Sequence, residues 1–450
     1  MKAVCYTSGR LETEYNLRDT LYELLEDICQ DEQLSRLGYK VLSALNYNNS
    51  AQLDKQIIQQ LFGQEIRTSA GKLSTFACCP YKYFAQYVLQ LKERGELKFR
   101  PLQLGDFYHR ILNSLLKQLN KEGKNLAQVT NQELRAILAD RIKEFTQTNS
   151  FVSNFVSKSR HNAFIIEQAS EILEDCVLAI AEMVRAGKFL PLLSEVSFGQ
   201  VKDATKSIGE CQIALPDGRI LSLDGKIDRL DVANINGRRI AIIFDYKKHI
   251  KEAFNWSKFY YGLDMQLPIY ILAVHNVAQL NVEKTVGAFY LPIEVSPQVA
   301  TLNELNKQRN DFNYKAKGIF NGSFAHYLDY AALKDPDKAG HSKFYNFFVT
   351  KDGEPYGNYE KMAALSPEDF EKVLWFTKEK IIQLAQEILS GKIDIKPYKL
   401  GGRSPCSHCE YKSVCRFDWQ INSYYPLMLL NKRQVLDRIK TKFSQSRDSR

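Results

Sequence analysis

The sequence predicts an α/β protein, and two observations lead to this class. Short β-rich runs fill residues 194–247 and 285–292, and a helix with the sequence MQLPIYIL lies between these two groups. Longer helical patterns flank the strands, at 106–190 and from Ser366 to Gly391. No internal repeat or low-complexity tract interrupts this order.

The composition is that of an ordinary globular protein. With 450 residues, of which 44% are hydrophobic and 12% aromatic, the chain can bury a large core and form two or three domains. Nothing near Met1 has the charged-then-apolar profile of a secretory signal, and no run approaches the roughly 18 apolar residues of a membrane span. We therefore expect a cytoplasmic protein.

The formal net charge of +9 is unevenly distributed along the chain. Residues 1–70 contain 7 Lys+Arg and 10 Asp+Glu, whereas the residues from Lys396 onward contain 12 and 4. A basic body suits a polyanion such as nucleic acid, although charge alone favours a solvated basic surface almost as strongly.

The predicted elements follow one another in three segments. Residues 1–70 are expected to form a helical lead-in and candidate docking segment, because TLYELLEDICQ and KQIIQQLF have amphipathic helical patterns. The main domain is expected to span 71–430, and a basic tail follows at 431–450. The expected parts of the main domain are a helical region at 106–190, a catalytic core at 194–292, an insertion at 296–365 and a cysteine loop at 396–420.

A hairpin between Leu223 and Lys248 is the most informative local feature. Asn236-Gly237 stands between two β-rich runs, and this dipeptide is typical of a two-residue type I′ turn. Such a turn fixes the register, so paired residue numbers are expected to sum to 473.

This register places four charged side chains on one face of the hairpin. Asp228 is expected opposite Asp245 and Lys226 opposite Lys247, while Tyr246 points to the other face. Two carboxylates held about 5 Å apart repel each other unless a cation lies between them. A hard divalent ion bound by oxygens, with a lysine two residues along, is typical of a hydrolytic phosphodiester site.

The alternative for the hairpin is a solvated face whose mixed charges form cross-strand ion pairs. A slip or a bulge would also change the register, and Asp224 and Asp231 are competing carboxylates in the same strand. The hairpin alone leaves both interpretations open.

The nine cysteines fall into two groups. Cys406, Cys409 and Cys415 form a C-x2-C-x5-C motif in a loop preceded by Gly and Pro, where three thiolates can converge on one ion or cluster. A disulfide is disfavoured in the cytoplasm, so a metal site is predicted. Its fourth ligand is expected from Cys78-Cys79, with His408 as the competitor. The other cysteines lie among apolar neighbours and are predicted to be buried: Cys5, Cys29, Cys176 and Cys211.

Together these motifs resemble the C-terminal nuclease region of the AddB subunits of bacterial helicase-nucleases, within the PD-(D/E)XK superfamily that also contains the RecB nuclease domain. The resemblance runs from about residue 60 to residue 440. It rests on the segments LFGQEIRTSAGKLSTFACCPYKYFAQYVLQLKER, GDFYHRIL, SEVSFG, GKIDRLD, FDYKK, MQLPIYIL and GKIDIKPYKLGGRSPCSHCEYKSVCRFD. It implies a restriction-endonuclease-like core, a mixed sheet flanked by helices, with helical insertions and an iron-sulfur cluster joining the ends of the domain.

The resemblance also implies a catalytic set of six residues: His109, Asp228, Asp245, Lys247, Gln266 and Tyr270. The histidine and the two aspartates would bind Mg²⁺ or Mn²⁺, and the lysine would position or activate the attacking water. The Gln/Tyr pair, which shares one helix face, would flank the DNA backbone.

For the cysteines, the resemblance implies a four-iron, four-sulfur cluster. Its ligands would be Cys79, Cys406, Cys409 and Cys415. Cys78 would be an additional cysteine, because the family ligand immediately precedes a Pro-aromatic pair, here Pro80-Tyr81.

For one residue of this set, and for two further features of the sequence, a purely structural role is the alternative to a functional one. His109 lies on a predicted helix at 102–119 in line with Leu112 and Leu116, where a lone histidine is usually a hydrogen-bonded core residue. Glu195 begins a predicted strand and is a further candidate carboxylate. An aromatic run could stack on unpaired bases, although core packing is the favoured interpretation: Trp256, Phe259, Tyr260 and Tyr261.

The chain contains no G-x4-G-K-[ST] phosphate loop, so it is expected to have no motor of its own. We expect a metal-dependent DNA exonuclease that acts on single-stranded or unwound ends in double-strand break repair or recombination, together with an AddA-like helicase-nuclease subunit. The alternative is a catalytically silent subunit that holds DNA for such a partner. The intact Asp228, Asp245 and Lys247 argue against it, because a silent site has no reason to keep two repelling carboxylates.

Overall fold

The computed structural model describes residues 51–92, 101–200, 207–250, 254–275, 280–295, 312–333, 340–349, 362–419 and 421–448, and a subset of the residues between 20 and 45. Cys5 and Cys29 lie outside the described residues. Among the described helices, none combines the length and apolar character needed to cross a membrane.

The described helices, in chain order, are α1 (Ser35–Leu45), α2 (Lys55–Phe62), α3 (Ala70–Cys78), α4 (Pro80–Tyr83), α5 (Pro101–Lys121), α6 (Asn131–Thr148), α7 (Ser150–Lys158), α8 (Arg160–Ala186), α9 (Trp256–Tyr260), α10 (Gln266–His275), α11 (Ala325–Leu328), α12 (Pro367–Leu389), α13 (Lys412–Cys415) and α14 (Lys432–Asp448). A π-helical turn at Phe84–Val88 continues α4. Short 3₁₀ turns lie at Gly322–Phe324, Tyr330–Leu333 and Pro405–His408.

The strands, in chain order, are β1 (Glu65–Thr68), β2 (Leu190–Phe198), β3 (Cys211–Ala214), β4 (Ile220–Leu223), β5 (Gly225–Ile235), β6 (Arg238–Lys247), β7 (Lys284–Pro292), β8 (Lys317–Asn321), β9 (Gly340–His341), β10 (Phe348–Val349), β11 (Ala364–Leu365), β12 (Tyr398–Leu400) and β13 (Tyr425–Leu427).

A six-stranded mixed sheet with the order β11-β8-β7-β6-β5-β2 forms the centre of the described structure. Strands β2, β5 and β6 are antiparallel neighbours, whereas β6 and β7 run parallel. The chain connects these two parallel strands through α9 and α10, since parallel neighbours require a crossover. The predicted mixed sheet flanked by helices is confirmed.

Helices cover both faces of this sheet. On β6, Ala241 and Ile243 pack into a core with α3, α10, α12 and α14, while Ile242 and Phe244 pack into a second core with α5, α6 and α8. The continuous apolar run of β6 is the pattern expected for a strand buried on both faces. The carboxyl end of β6 carries Asp245 and Lys247.

The predicted hairpin register is confirmed over seven pairs, from Ile235 with Arg238 to Arg229 with Phe244, all of which sum to 473. Asn236 and Gly237 have φ angles of +52° and +78°, as a type I′ turn requires. Asp228 and Asp245 follow directly after the last of these pairs.

Two expected segment boundaries require correction. Within the expected helical lead-in 1–70, Glu65–Thr68 forms β1, which pairs in parallel with β4 and buries Ile66 and Thr68. Leu53 and Ile58 also pack on the core, so residues from 51 onward belong to the main domain.

The expected insertion 296–365 contains two strands of the central sheet. Strand β8 pairs antiparallel with β7, and β11 pairs in parallel with β8. Strand β8 was missed because its five residues have no alternation: Gly318, Ile319, Phe320 and Asn321 are all buried.

The expected basic tail 431–450 is an ordered helix over its described part. On α14, Val435, Leu436 and Ile439 are buried in the core that also contains α12. Upstream of it, the Ser257 hydroxyl of α9 donates to the Leu430 carbonyl at 2.8 Å and accepts from the Leu430 N–H at 2.7 Å. The basic side chains of α14 therefore extend from a helix that is packed on the core.

Candidate active site

Two buried carboxylates lie side by side on the hairpin. Asp228 and Asp245 are 9% and 3% exposed. Asp228 Oδ2 accepts a hydrogen bond from the Tyr246 backbone N–H at 2.8 Å, and its Oδ1 lies 3.1 Å from His109 Nδ1. Helix α5 places His109 above the hairpin, where its ring also meets the ring of Tyr246 edge-on at 5.9 Å.

Asp245 is held by the lysine and the glutamine of the predicted set. Gln266 Nε2 donates to Asp245 Oδ1 at 2.7 Å, and Lys247 Nζ lies 2.6 Å from Asp245 Oδ2. The amide oxygen of Gln266 accepts from Lys247 Nζ at 3.0 Å, so one glutamine side chain orients both charged groups. Gln266 Nε2 also donates to Tyr270 Oη at 2.9 Å, one turn further along α10. The structure therefore brings all six residues of the predicted catalytic set together.

The electrostatics of the site disfavour a second negative charge. Burial raises the pKa of Asp245, the Lys247 ammonium lowers it, Asp228 raises it, and the net shift is upward. Burial lowers the pKa of His109, but the hydrogen bond and negative charge of Asp228 outweigh this and raise it. Both shifts indicate a site that attracts positive charge.

A third carboxylate, that of Glu195, lies near the two aspartates. In the β2/β5 register, Glu195 lies between the pairs Ser194–Arg229 and Val196–Ile227, at the level of Asp228. Its side chain accepts a hydrogen bond from Asn113 Nδ2 at 2.8 Å and forms an ion pair with Lys226 Nζ at 2.8 Å. Glu195 has a φ of +49°, a conformation that costs free energy for a residue with a side chain. Lys226, which was expected opposite Lys247, thus points to this glutamate.

Two residues of the site were absent from the sequence-based set. Asn113 lies four residues after His109 on α5, and this spacing could have indicated a shared helix face. Tyr290 of β7 lies under Lys247, with Nζ 5.2 Å from the ring centroid, and its hydroxyl donates to Asp264 Oδ1 at 3.1 Å. Only the long-range pairing of β6 with β7 places Tyr290 there.

The two competing carboxylates, Asp231 of β5 and Asp224 just before this strand, have other partners. Asp231 is buried and accepts from Arg229 Nε at 2.8 Å. Asp224 Oδ1 accepts from the Gln200 backbone N–H at 3.1 Å. Neither has the Lys/Gln environment of Asp245, so the hairpin interpretation based on Asp228 and Asp245 is preferred.

The aromatic run after β6 belongs mainly to the core. Trp256 and Phe259 are 7% and 0% exposed, and Tyr260 and Tyr261 pack against the same core. Base stacking on the first two rings is therefore excluded in this conformation.

The oxygen and imidazole groups at the hairpin fit a hard divalent cation. Asp245 Oδ2 is buried and, among the described residues, receives no hydrogen bond of ordinary geometry, so a lone pair remains for an ion. As the side chains stand, no group of three or more His, Cys, Asp or Glu in the described ranges is arranged to hold a metal ion. His109 and Asp228 contact each other, and Lys247 contacts Asp245, so ion binding would require these partners to separate.

Four cysteines from both ends of the domain line one cavity of about 1030 Å³: Cys79, Cys406, Cys409 and Cys415. Their thiols are free, and Cys78 does not line the cavity. His408 also lines it. The two ends are joined nearby by a hydrogen bond from the Tyr81 N–H to the Asp394 carbonyl at 3.1 Å.

For the phosphodiesterase activity that the resemblance implies, the contacts of Gln266 predict a measurable effect on the rate. Gln266→Leu should lower the rate of phosphodiester cleavage by about 10- to 100-fold, as loss of an outer orienting group typically does. Tyr270→Phe should cost less, because it removes only the acceptor for Gln266 Nε2. Steady-state kinetics on a labelled oligonucleotide measures both. Wild-type rates in Gln266→Leu would contradict the orienting role.

Known proteins whose sequences are similar over most of the chain include B subunits of ATP-dependent helicase/deoxyribonucleases. The one from Exiguobacterium sibiricum is 26% identical over 441 residues, which cover 96% of this chain and 37% of that relative. The one from Thermoanaerobacter sp. (strain X514) is 30% identical over 417 residues, covering 90% and 35%, and that of Clostridium botulinum (strain Okra) is 29% identical over 436 residues, covering 94% and 36%. The chain thus spans little more than a third of the length of these curated relatives.

A family model described as the PD-(D/E)XK nuclease superfamily matches residues 67–416. This range begins in β1, contains the whole hairpin site and ends just after Cys415. The chain belongs to the PD-(D/E)XK nuclease superfamily.

Proposed function

We propose that this protein is a metal-dependent deoxyribonuclease that hydrolyses phosphodiester bonds at an Asp-Asp-Lys site. The observation that carries the proposal is the convergence of Asp228, Asp245 and Lys247 with His109 and Gln266 at the end of the β5-β6 hairpin. Mg²⁺ or Mn²⁺ is the proposed ion, because these hard cations prefer carboxylate oxygens.

Each side chain has a distinct proposed role. Asp228, fixed by the Tyr246 N–H, and Asp245, fixed by Gln266, present oxygens to the ion, and His109 completes the ligand set. Lys247 holds the attacking water and its ammonium offsets charge that develops on the phosphate. The ion, when bound, supplies positive charge for the phosphodiester and activates water.

The cysteine cavity is proposed to hold a four-iron, four-sulfur cluster between Cys79 and the C-terminal cysteines. All four cysteines line one cavity of about 1030 Å³, which is large enough for such a cluster. No three of the described cysteine side chains stand close enough together to hold a metal ion, so cluster binding would require the thiols to move closer. Four basic side chains line the same cavity and would offset the negative charge of the ligated cluster: Lys82, Lys399, Arg403 and Lys412. Its role would be structural, because it joins the two ends of the domain and lies apart from the carboxylates.

The proposed substrate is the single strand at a DNA end, cut exonucleolytically in break repair or recombination. The relatives are named as subunits of an ATP-dependent helicase/deoxyribonuclease, and this supports an AddA-like helicase-nuclease partner that unwinds the duplex. The sequence of this chain has no phosphate loop that could drive unwinding by itself.

Single-stranded DNA should therefore be cut faster than blunt duplex DNA, because bases at a blunt end are paired and stacked. The test incubates pure protein with end-labelled single-stranded, frayed and blunt substrates, with Mg²⁺ and with EDTA. Addition of an AddA-like helicase with ATP should open the blunt duplex to cleavage. Equal rates on blunt duplex and single strands without a helicase would refute the dependence on unwinding. DNA binding without any Mg²⁺-dependent cleavage would instead support the catalytically silent alternative.

A further inference from the structure

Three cations surround one pair of stacked aromatic rings where α9, α12 and α14 meet. Tyr260 and Phe376 stack with their centroids 5.3 Å apart and their planes at 4°. Lys442 Nζ lies 5.3 Å from the Tyr260 centroid and 5.5 Å from that of Phe376. Lys380 Nζ lies at 6.0 and 5.6 Å from the same centroids, and the Arg438 guanidinium at 5.7 Å from Tyr260. We call Lys380, Arg438 and Lys442 the basic cluster.

No carboxylate neutralises the basic cluster within the part of the chain that the structure describes. Two acidic side chains of α12 are bound to lysines outside the cluster. Asp369 pairs with Lys440 at 3.2 Å, and Glu387 pairs with Lys392 at 3.0 Å. Lys380 Nζ donates instead to a neutral acceptor, Gln383 Oε1, at 2.8 Å. Three cations around one ring pair, without an ion pair among the described residues, leave this surface locally positive.

The fold holds these like charges together at a cost in free energy. Burial and, to a smaller extent, the neighbouring Lys442 charge lower the pKa of Lys380 to about 8, against an opposing effect of Glu387. Helix α14 cannot easily move away, because Val435 and Ile439, seven and three residues before Lys442 and therefore on the same side of the helix, are buried in the core. The cluster is thus a pre-arranged positive surface, with Arg438 and Lys442 exposed at positions i and i+4.

The basic cluster is close to the candidate active site along the chain. Tyr260 precedes Gln266 by six residues, so their Cα atoms are at most about 22 Å apart. A single strand held at the active site can span this distance with a few nucleotides. The ring faces of Tyr260 and Phe376 are covered by cations, so the cluster suits phosphates better than stacked bases.

We propose that the basic cluster binds the phosphate backbone of the DNA strand whose end is cut at the active site. This inference rests on the proposed function and extends it with a second, sequence-independent contact to the substrate. Phosphate contacts of this kind fix the path of a strand and make its binding dependent on salt.

The test compares Arg438→Gln/Lys442→Gln with a control that loses the same charge elsewhere. The control is Lys143→Gln/Lys158→Gln, two exposed lysines on α6 and α7 at the other face of the sheet. Binding of a fluorescent oligo-dT single strand is measured in EDTA at several salt concentrations. The cluster variant should bind at least about tenfold more weakly, and its salt slope should fall by about 1.4, because each single-strand phosphate contact contributes about 0.7. The control should bind like the wild type.

Two further measurements make the result specific. The conservative variant Lys442→Arg should bind like the wild type. Mg²⁺-dependent cleavage of the nitrophenyl ester of thymidine 5′-phosphate, which reaches only the active site, should be unchanged in the cluster variant. Equal DNA affinity in the cluster variant and the control, whether both are unchanged or both weakened, would overturn the inference. Because binding is measured without metal, this outcome is independent of whether the wild type cleaves DNA.

Discussion

Asp245→Ala should abolish Mg²⁺-dependent DNA hydrolysis. Asp245 is the carboxylate on which Lys247 and Gln266 both converge, so the variant loses an ion ligand and the anchor of two positioning groups. Loss of several kcal/mol of transition-state stabilisation corresponds to a fall of about 1000-fold or more, since each 1.4 kcal/mol or so is tenfold. The measurement is single-turnover cleavage of a labelled single strand.

An exposed carboxylate provides the control for this variant. Asp217 pairs with Arg219 in the β3-β4 turn, and Asp217→Asn should cleave DNA like the wild type. Activity of Asp245→Ala within tenfold of wild type would refute the assignment of the site.

In the absence of metal, removing the charge of Asp245 should stabilise the folded protein, even though it should abolish activity. The raised pKa of Asp245 means that the folded state disfavours its charged form relative to the unfolded chain, so stability falls as pH rises through the range where Asp245 ionises. Asp245→Asn removes this charge and should raise the midpoint of urea unfolding in EDTA at neutral pH. The wild type, but not the variant, should then gain stability on addition of Mg²⁺.

The hairpin and its carboxylates could be predicted because their information is local. Two residues, Asn236 and Gly237, select the turn, and the turn sets the seven observed pairs behind it; the predicted pairs Asp228–Asp245 and Lys226–Lys247 are not among them. The proximity of Asp228 and Asp245 therefore required no knowledge of the rest of the fold. His109 and Gln266 could be assigned only by resemblance, because their approach to the hairpin depends on how α5 and α10 pack on opposite faces of the sheet.

The parts that were missed depend on long-range pairing. Strand β8 has no periodicity, and it becomes a strand because β7 and β11 bind its two edges. Glu195 could be recognised as a strand residue, but its position at the level of Asp228 depends on the β2/β5 register, which shifts between Pro191 and Leu193. No local sequence pattern indicates where this register shift occurs.

Loss of any cysteine of the proposed cluster site should destabilise the whole domain. Cys79 and Cys406 are 327 positions apart. If the loop-length relation for disulfide cross-links applies, joining them through a cluster reduces the conformational entropy of the unfolded chain by an amount worth roughly 6 kcal/mol. That value is comparable with the total stability of a typical domain. Cys79→Ser and Cys406→Ser should therefore lower Tm by about 10 °C or more, and anaerobically purified protein should lose its brown colour and its broad absorbance.

Cys78→Ser is the matched control for this effect. Cys78 is adjacent to Cys79 in sequence, yet only Cys79 lines the cavity with the three C-terminal cysteines. The control should keep the colour, the iron content and nearly all of the thermal stability. Equal losses in Cys78→Ser and Cys79→Ser would contradict the choice of ligand.

Colourless wild-type protein with one zinc ion per chain would show a zinc site in place of the cluster, because the same four thiolates can hold either. Whether the site holds a cluster or zinc, the cross-link argument predicts that the metal stabilises the domain by joining its two ends. An unchanged Tm of the wild type after removal of the metal would refute this structural role.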